Sequence, residues 1–198
     1  NKILHNKSIN KLKSRGLFQK VVSTVKDSEK QGLKDIDIVI EEKPTGEIMA
    51  GAGYGTDGST FSIGIKENNF KGEGINLNTR LSLTEQTVKG FFEYTHPNFA
   101  YSDRALSTSI ESSVTDKLTD FGYKSSLNKI SLGTRYEQFE DTFFSPALSI
   151  SSESLDTTST ASAAYKKQEG SYFDTTFDYA LTYDKRNSAY QPSSGFYS

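Results

Sequence analysis

Apolar and polar side chains alternate along most of this chain, in runs separated by polar links. Successive side chains of an extended strand point to opposite faces, so each run predicts a strand with one apolar and one polar side. The pattern is clearest over residues 173–183, where Phe173, Phe177, Tyr179, Leu181 and Tyr183 oppose Asp174, Thr176, Asp178 and Thr182. Further strands are predicted at 61–70, 75–84, 87–96, 105–114, 127–139 and 143–155. Over 75–84, Ile75, Leu77, Leu81 and Leu83 oppose Asn76, Asn78, Arg80 and Ser82. Over 87–96, Val88, Phe92 and Tyr94 oppose Lys89, Glu93 and Thr95, with Phe91 out of step. Residues 156–171, rich in Thr, Ser and Ala, read as a mobile loop.

The series begins at 44–56, which reads Pro-Thr-Gly-Glu-Ile-Met-Ala-Gly-Ala-Gly-Tyr-Gly-Thr. Ile48, Ala50, Ala52 and Tyr54 fall on one face of that strand, and Glu47, Met49, Gly51, Gly53 and Gly55 on the other. Three glycines leave the second face almost bare, and glycine weakens a strand interior. A strand that is apolar outside, bare inside and poorly locked in register is a candidate for one that opens. Close packing of a neighbour against the glycines is the competing reading. Upstream, residues 1–15 are lysine-rich with Ile9 and Leu12 at helical spacing, and Gly16 follows as a helix-ending residue. A strand is predicted at 17–25, a polar turn at 27–32, and a second strand at 35–42 with Ile36, Ile38 and Ile40 on one face. Pieces of about 40 residues seldom bury a core unaided, so this reads as the back half of a small α/β module. Lys43-Pro44-Thr45-Gly46 marks the boundary, which divides the chain into domains 1–43 and 44–198.

Composition narrows the partners. With 25 acidic and 23 basic side chains and a formal charge of -2, the chain lacks the basic stripe of a nucleic-acid binder. Cysteine is absent, which excludes disulfides and thiolate metal sites within it. No run of eighteen apolar residues exists, so no transmembrane helix is predicted. Barrel strands escape that test, because they alternate lipid-facing and lumen-facing residues. Strands of ~9–11 residues with aromatic ends suit an outer-membrane barrel. A soluble sandwich alternates in the same way, and Lys66, Arg80, Glu93 and Arg135 suit either a wet lumen or a solvated outer face. Short links such as Glu85-Gln86 alternate with longer ones at 115–126 and 156–171, as in barrels with tight turns on one rim. The chain has no initiator Met and stops at Gly195-Phe196-Tyr197-Ser198, as a further strand begins, so it reads as an internal or mature segment of something longer.

Several motifs together resemble the BamA family of outer-membrane β-barrel assembly factors. Leu12-Lys13-Ser14-Arg15-Gly16-Leu17-Phe18 resembles the helix-to-strand corner of a POTRA domain. Glu42-Lys43-Pro44-Thr45-Gly46 with Gly51-Ala52-Gly53-Tyr54-Gly55-Thr56 resembles the junction of the last POTRA with the first barrel strand. Glu67-Asn68-Asn69-Phe70-Lys71-Gly72-Glu73-Gly74 resembles the second strand and its turn, and Tyr94-Thr95-His96-Pro97-Asn98-Phe99 the family's strand end. Tyr183-Asp184-Lys185-Arg186-Asn187 with Gln191-Pro192-Ser193-Ser194-Gly195 resembles the tract joining the eighth and ninth strands. The similarity covers nearly the whole chain in order. It implies a mainly β protein: part of an α/β POTRA domain, then roughly the first eight strands of an antiparallel transmembrane barrel of about sixteen.

The resemblance also implies a function: insertion of client β-barrels into the bacterial outer membrane, with the POTRA part in the periplasm. The implied partners are unfolded barrel clients, periplasmic accessory lipoproteins and the lipid bilayer, and no nucleic acid. The edge of Glu47, Ile48, Met49, Ala50, Gly51, Ala52, Gly53, Tyr54 and Gly55 would be the client-binding seam. The alternative within related architectures is a passive polypeptide transporter of the two-partner-secretion or TamA type. No enzyme chemistry, cofactor or metal site is expected. His5 and His96 lie in different modules, Glu41 and Glu42 point to opposite faces, and no Ser/His/Asp constellation is evident. Gly51-x-Gly53-x-Gly55 has Thr56 where a dinucleotide motif needs glycine, and no helical pattern follows it.

Overall fold

The structure, a computed structural model, describes residues 2–30, 32–55, 58–186 and 192–198. Thr56, Asn187 and Gln191 of the sequence motifs lie outside these residues. The chain divides into two compact units, Asn1–Thr45 with Lys185–Tyr197, and Gly46–Asp184.

In the first unit, helix α1 (Lys2–Ser14) precedes an antiparallel pair, β1 (Phe18–Asp27) and β2 (Lys34–Glu42). Ile9 and Leu17 are buried, the Lys43 N–H donates to the Leu17 carbonyl at 3.2 Å, and His5 Nε2 lies 2.8 Å from Ser23 Oγ. The face of β2 carrying Ile36, Ile38 and Ile40 registers with Val25, Ser23 and Val21, yet those isoleucines stay about half exposed. On the opposite face Lys26 Nζ meets Asp37 Oδ2 at 2.7 Å. The hydrogen bond to Asp37, and then its charge, hold the Lys26 ammonium above the ordinary lysine range. Both partners are solvated, so the pair contributes little to stability.

In the second unit, eight strands form one antiparallel meander: β3 (Gly46–Gly55), β4 (Gly58–Phe70), β5 (Ile75–Thr84), β6 (Thr87–His96), β7 (Ala105–Lys117), β8 (Tyr123–Phe139), β9 (Thr142–Thr157) and β10 (Gly170–Tyr183). Every strand pairs with its sequence neighbours, so among the described residues β3 and β10 are the two edges of an open sheet, with Tyr183 at the end of β10 bridged to Ser198. The register puts most apolar positions of the eight strands on one face, with Met49, Phe91, Leu127, Phe143 and Leu155 on the other. Ile48, Ile65, Thr79, Phe92, Ile110, Ile130, Ile150 and Thr175 form one continuous row. Phe91, out of step in the sequence, lies on the polar face between Arg80 and Glu111.

No second layer covers the apolar face among the described residues. Phe177, Tyr179 and Leu181 are 64%, 72% and 65% exposed. A sandwich would bury them.

The apolar band also crosses the ladder obliquely. The row through Ala52, Phe61, Leu83, Val88 and Val114 runs into Ser126 and Ser154 on β8 and β9. Toward β10 the band has moved the other way, to Tyr136, Phe144 and Leu181. Strands tilted against a flat slab of hydrocarbon produce this drift, because a plane then cuts the hydrogen-bonded rows at an angle.

The links correct two expectations. Glu85-Gln86, helix α2 (Leu118–Phe121) with Gly122, and the 158–169 link all lie on the same rim, the far one from the start of β3. The near rim carries 71–74, 97–104 and 140–141, so short and long links do not separate by rim. The polar ends of β7 and β8, within the link expected at 115–126, pair fully, Asp116 with Lys124 and Lys117 with Tyr123, and Lys124 Nζ lies 3.4 Å from Asp116 Oδ2. The 156–171 stretch is likewise built: β9 reaches Thr157, helix α3 (Ala163–Lys167) is capped by Ser162, and Tyr165 stacks on Tyr123 at 4.2 Å.

Gly122 joins the two far-rim links. Its φ of +72° favours a residue without Cβ, and the Thr158 N–H donates to its carbonyl at 2.8 Å. A Cβ there would stand 2.5 Å from the Ala161 backbone nitrogen. Gly122→Ala is expected to cost about 1–3 kcal/mol through that strain. Urea unfolding should show a lowered midpoint with an unchanged slope.

Candidate functional site

The candidate site is the edge of β3. Its ladder with β4 is continuous from Gly46 opposite Glu67 to Gly55 opposite Gly58, and no strand lies on its other side among the described residues. In an antiparallel ladder, alternate residues direct their N–H and C=O to one neighbour and then the other. Every second residue of β3 therefore presents its backbone pair to the free side. All ten residues are exposed, Ile48 at 79% and Tyr54 at 86%.

The side chains divide as alternation requires. Ile48, Ala50, Ala52 and Tyr54 lie on the apolar face, opposite Ile65, Ile63, Phe61 and Ser59 of β4. Glu47, Met49, Gly51, Gly53 and Gly55 lie on the polar face, opposite Lys66, Gly64, Ser62, Thr60 and Gly58. All nine predicted residues thus belong to one strand edge. The register itself is unbroken, so the expected looseness does not come from a bulge.

The glycines separate into two kinds. A Cβ at Gly51 would approach Ser62 Oγ at 3.1 Å, but at Gly53 and Gly55 it would meet nothing within 4 Å. Close packing therefore does not account for the last two. What they remove is side-chain contact on the polar face, which leaves the end of β3 held to β4 on that side by backbone alone. The tight glycine is Gly64 across the ladder, where a Cβ would meet Met49 Cε at 3.2 Å and the Thr79 carbonyl at 3.3 Å.

Glu85 is a functional candidate that sequence reasoning missed. Its Oε1 accepts from the Ser59 N–H at 3.3 Å, and its carboxylate occupies the space beside Gly58 that a side chain would fill. It clamps the β4 side of the hairpin, which restricts freedom at that end to β3. In the sequence Glu85 is only one of two polar turn residues, and no spacing signals its reach to Ser59.

The histidines remain apart from any such site. His5 faces Ser23, while His96 closes β6, where its Nδ1 accepts from the Asn98 N–H at 3.3 Å and its ring meets Phe99 edge-on at 5.8 Å. Among the described residues no three His, Cys, Asp or Glu side chains are grouped to hold a metal.

Comparison with known proteins places this geometry. The fold matches the crystal structure of BamA from Haemophilus ducreyi lacking POTRA domains 1–3, with a TM-score of 0.66 and 22% identity over 96% of this chain and 40% of that one. The chain thus spans less than half of that relative. No curated protein sequence matches it. Residues 69–198, from the end of β4 onward, match the Omp85 superfamily domain. The motif resemblance, the antiparallel meander and this match agree: the chain belongs to the Omp85 superfamily.

Proposed function

We propose that this chain is part of an outer-membrane factor that inserts β-barrel clients, and that the free edge of β3 templates their folding. The observation that carries the reading is that β3 is an edge strand, without a partner on one side among the described residues, beside an apolar face that none of them covers. In hydrocarbon, an unpaired backbone group costs several kcal/mol, so such an edge stays empty only briefly. It pairs with the strand that closes the barrel or with a client strand.

Strand addition through backbone hydrogen bonds is tolerant of sequence, as a factor with many clients requires. Burial of client apolar surface at ~25 cal/mol per Å² drives insertion, and no nucleotide is needed. The protein lowers the barrier by offering a template and a locally thinned bilayer. Residues 1–43 form the end of the last POTRA domain in the periplasm, where accessory lipoproteins dock, and 44–198 the start of the barrel. The near rim then faces the periplasm.

The polar face, with Lys66, Arg80, Glu93, Glu111 and Lys129, also suits the wet lumen of a passive transporter. Cysteine trapping separates the two readings, since the chain carries no native cysteine. Single cysteines at Met49, Ala50, Gly51 and Ala52 are expected to trap a client's cysteine-bearing terminal strand in consecutive register, while one at Ile110 traps none. Trapping at Glu111 on the polar face, with β3 silent, would establish the transporter instead.

A further inference from the structure

The apolar face carries a corner whose chemistry the strand-template function does not use. It lies toward the near rim of β7–β10. A shallow groove of about 280 Å³ is lined there by Leu106, Leu132, Thr134, Pro146, Leu148 and Phe177. All six project from the apolar face, Leu106 opposite Thr134 and Leu132 opposite Leu148, which stands opposite Phe177. The lining is almost wholly hydrocarbon.

At the near-rim end of this groove stands a guanidinium. Arg104 lies over the Tyr136 ring with its Cζ 4.9 Å from the centroid, and Tyr136 meets Phe144 edge-on at 6.0 Å. Attraction to the ring face holds the guanidinium at this boundary. The loop that delivers Arg104 is itself locked. The Phe99 N–H donates to the Arg104 carbonyl at 2.8 Å, and the Asp103 N–H to Asn98 Oδ1 at 2.9 Å. Arg104 has no carboxylate partner among the described residues, Asp103 included. It is two residues from Leu106, so the backbone positions that carry the charge and the groove edge are ~7 Å apart along the chain.

We propose that this corner binds one phospholipid with an anionic headgroup, its phosphate on Arg104 and the first part of an acyl chain in the groove. The spacing leaves room for the glycerol ester between them. Charge complementarity selects the occupant: an unpaired, aromatic-stacked guanidinium at the boundary of an apolar surface is matched by a phosphate attached to hydrocarbon. Phosphatidylglycerol fits better than a zwitterionic lipid, whose own ammonium competes for the phosphate. Bound there, the lipid would fix the depth at which β7–β10 sit in the inner leaflet. The site rests on the membrane reading above.

Native mass spectrometry of the full-length protein, released from detergent micelles doped with phosphatidylglycerol, phosphatidylcholine or a neutral diglyceride glycolipid, tests it. The unaltered protein is expected to retain phosphatidylglycerol preferentially. Arg104→Gln should lower that retention about five- to ten-fold and leave the glycolipid unchanged, as loss of one charge-assisted contact predicts. Thr134→Phe, which fills the groove, should lower retention of all three. Equal retention of phosphatidylglycerol by Arg104→Gln and the parent overturns the proposal. So does displacement of the lipid by inorganic phosphate alone, which would make Arg104 a plain anion site. A protein that stays folded and monodisperse without detergent sinks the membrane reading itself, and that result is distinct from both.

Discussion

Ile110→Arg is expected to abolish assembly into the membrane, while Ser109→Arg next to it leaves the protein folded. Ile110 sits at the middle of the apolar row, between Phe92 and Ile130, about half exposed in the isolated sheet. Ser109 points to the polar face, between Glu93 and Ser131. At the bilayer midplane an outward arginine costs about 2–4 kcal/mol, a large fraction of a domain's net stability. The same substitution on a wetted surface stays within about 0.5 kcal/mol of neutral. The measurement is the heat-modifiable mobility of membrane-extracted protein. Loss of the folded band for Ile110→Arg alone supports a lipid-facing row, whereas survival of both variants means that this face meets water.

Much of this fold is legible in the sequence, because alternation is a direct consequence of strand geometry. The strands at 75–84 and 87–96 are found at the predicted bounds, and residues 173–183 need no tertiary knowledge to assign. The failures have one source. Alternation reports the part of a strand that crosses an apolar layer and nothing beyond it. Thr115–Lys117 and Lys124–Ser126 lie past that layer, so their side chains are polar on both faces and read as loop although the backbone pairs throughout. Phe91 obeys the same count: it falls in step with Lys89 and Glu93 in the sequence and lies on their face, between Arg80 and Glu111.

The site was less legible than the fold. That Ala50 and Tyr54 share a face follows from counting, but that β3 lacks a partner on one side follows from the order of all eight strands. An edge strand and a central strand can share one sequence, since what differs is the neighbour. The glycines show the same limit. Gly51, which has a close neighbour, and Gly53, which has none, are indistinguishable in the sequence.

Locking the free edge of β3 is expected to stop client insertion on the order of ten-fold or more, reversibly. A cysteine at Ala50 is paired with one on whichever strand closes against β3 in the full-length protein, and the bond is formed by mild oxidation. Ala50 lies midway along β3 on the apolar face, so a bond there pins both ends of the edge. The backbone groups that a client strand would use stay occupied, and strand addition has no template. The matched control is Ala50 with Ile63, which already face each other across β3 and β4. That second bond constrains the side of β3 that never opens and should leave insertion intact. Reduction should restore activity to the first variant, which separates a blocked seam from a misfolded barrel. Undiminished insertion by the oxidised first variant would mean that clients enter elsewhere, and the edge of β3 would then be only the place where the barrel closes.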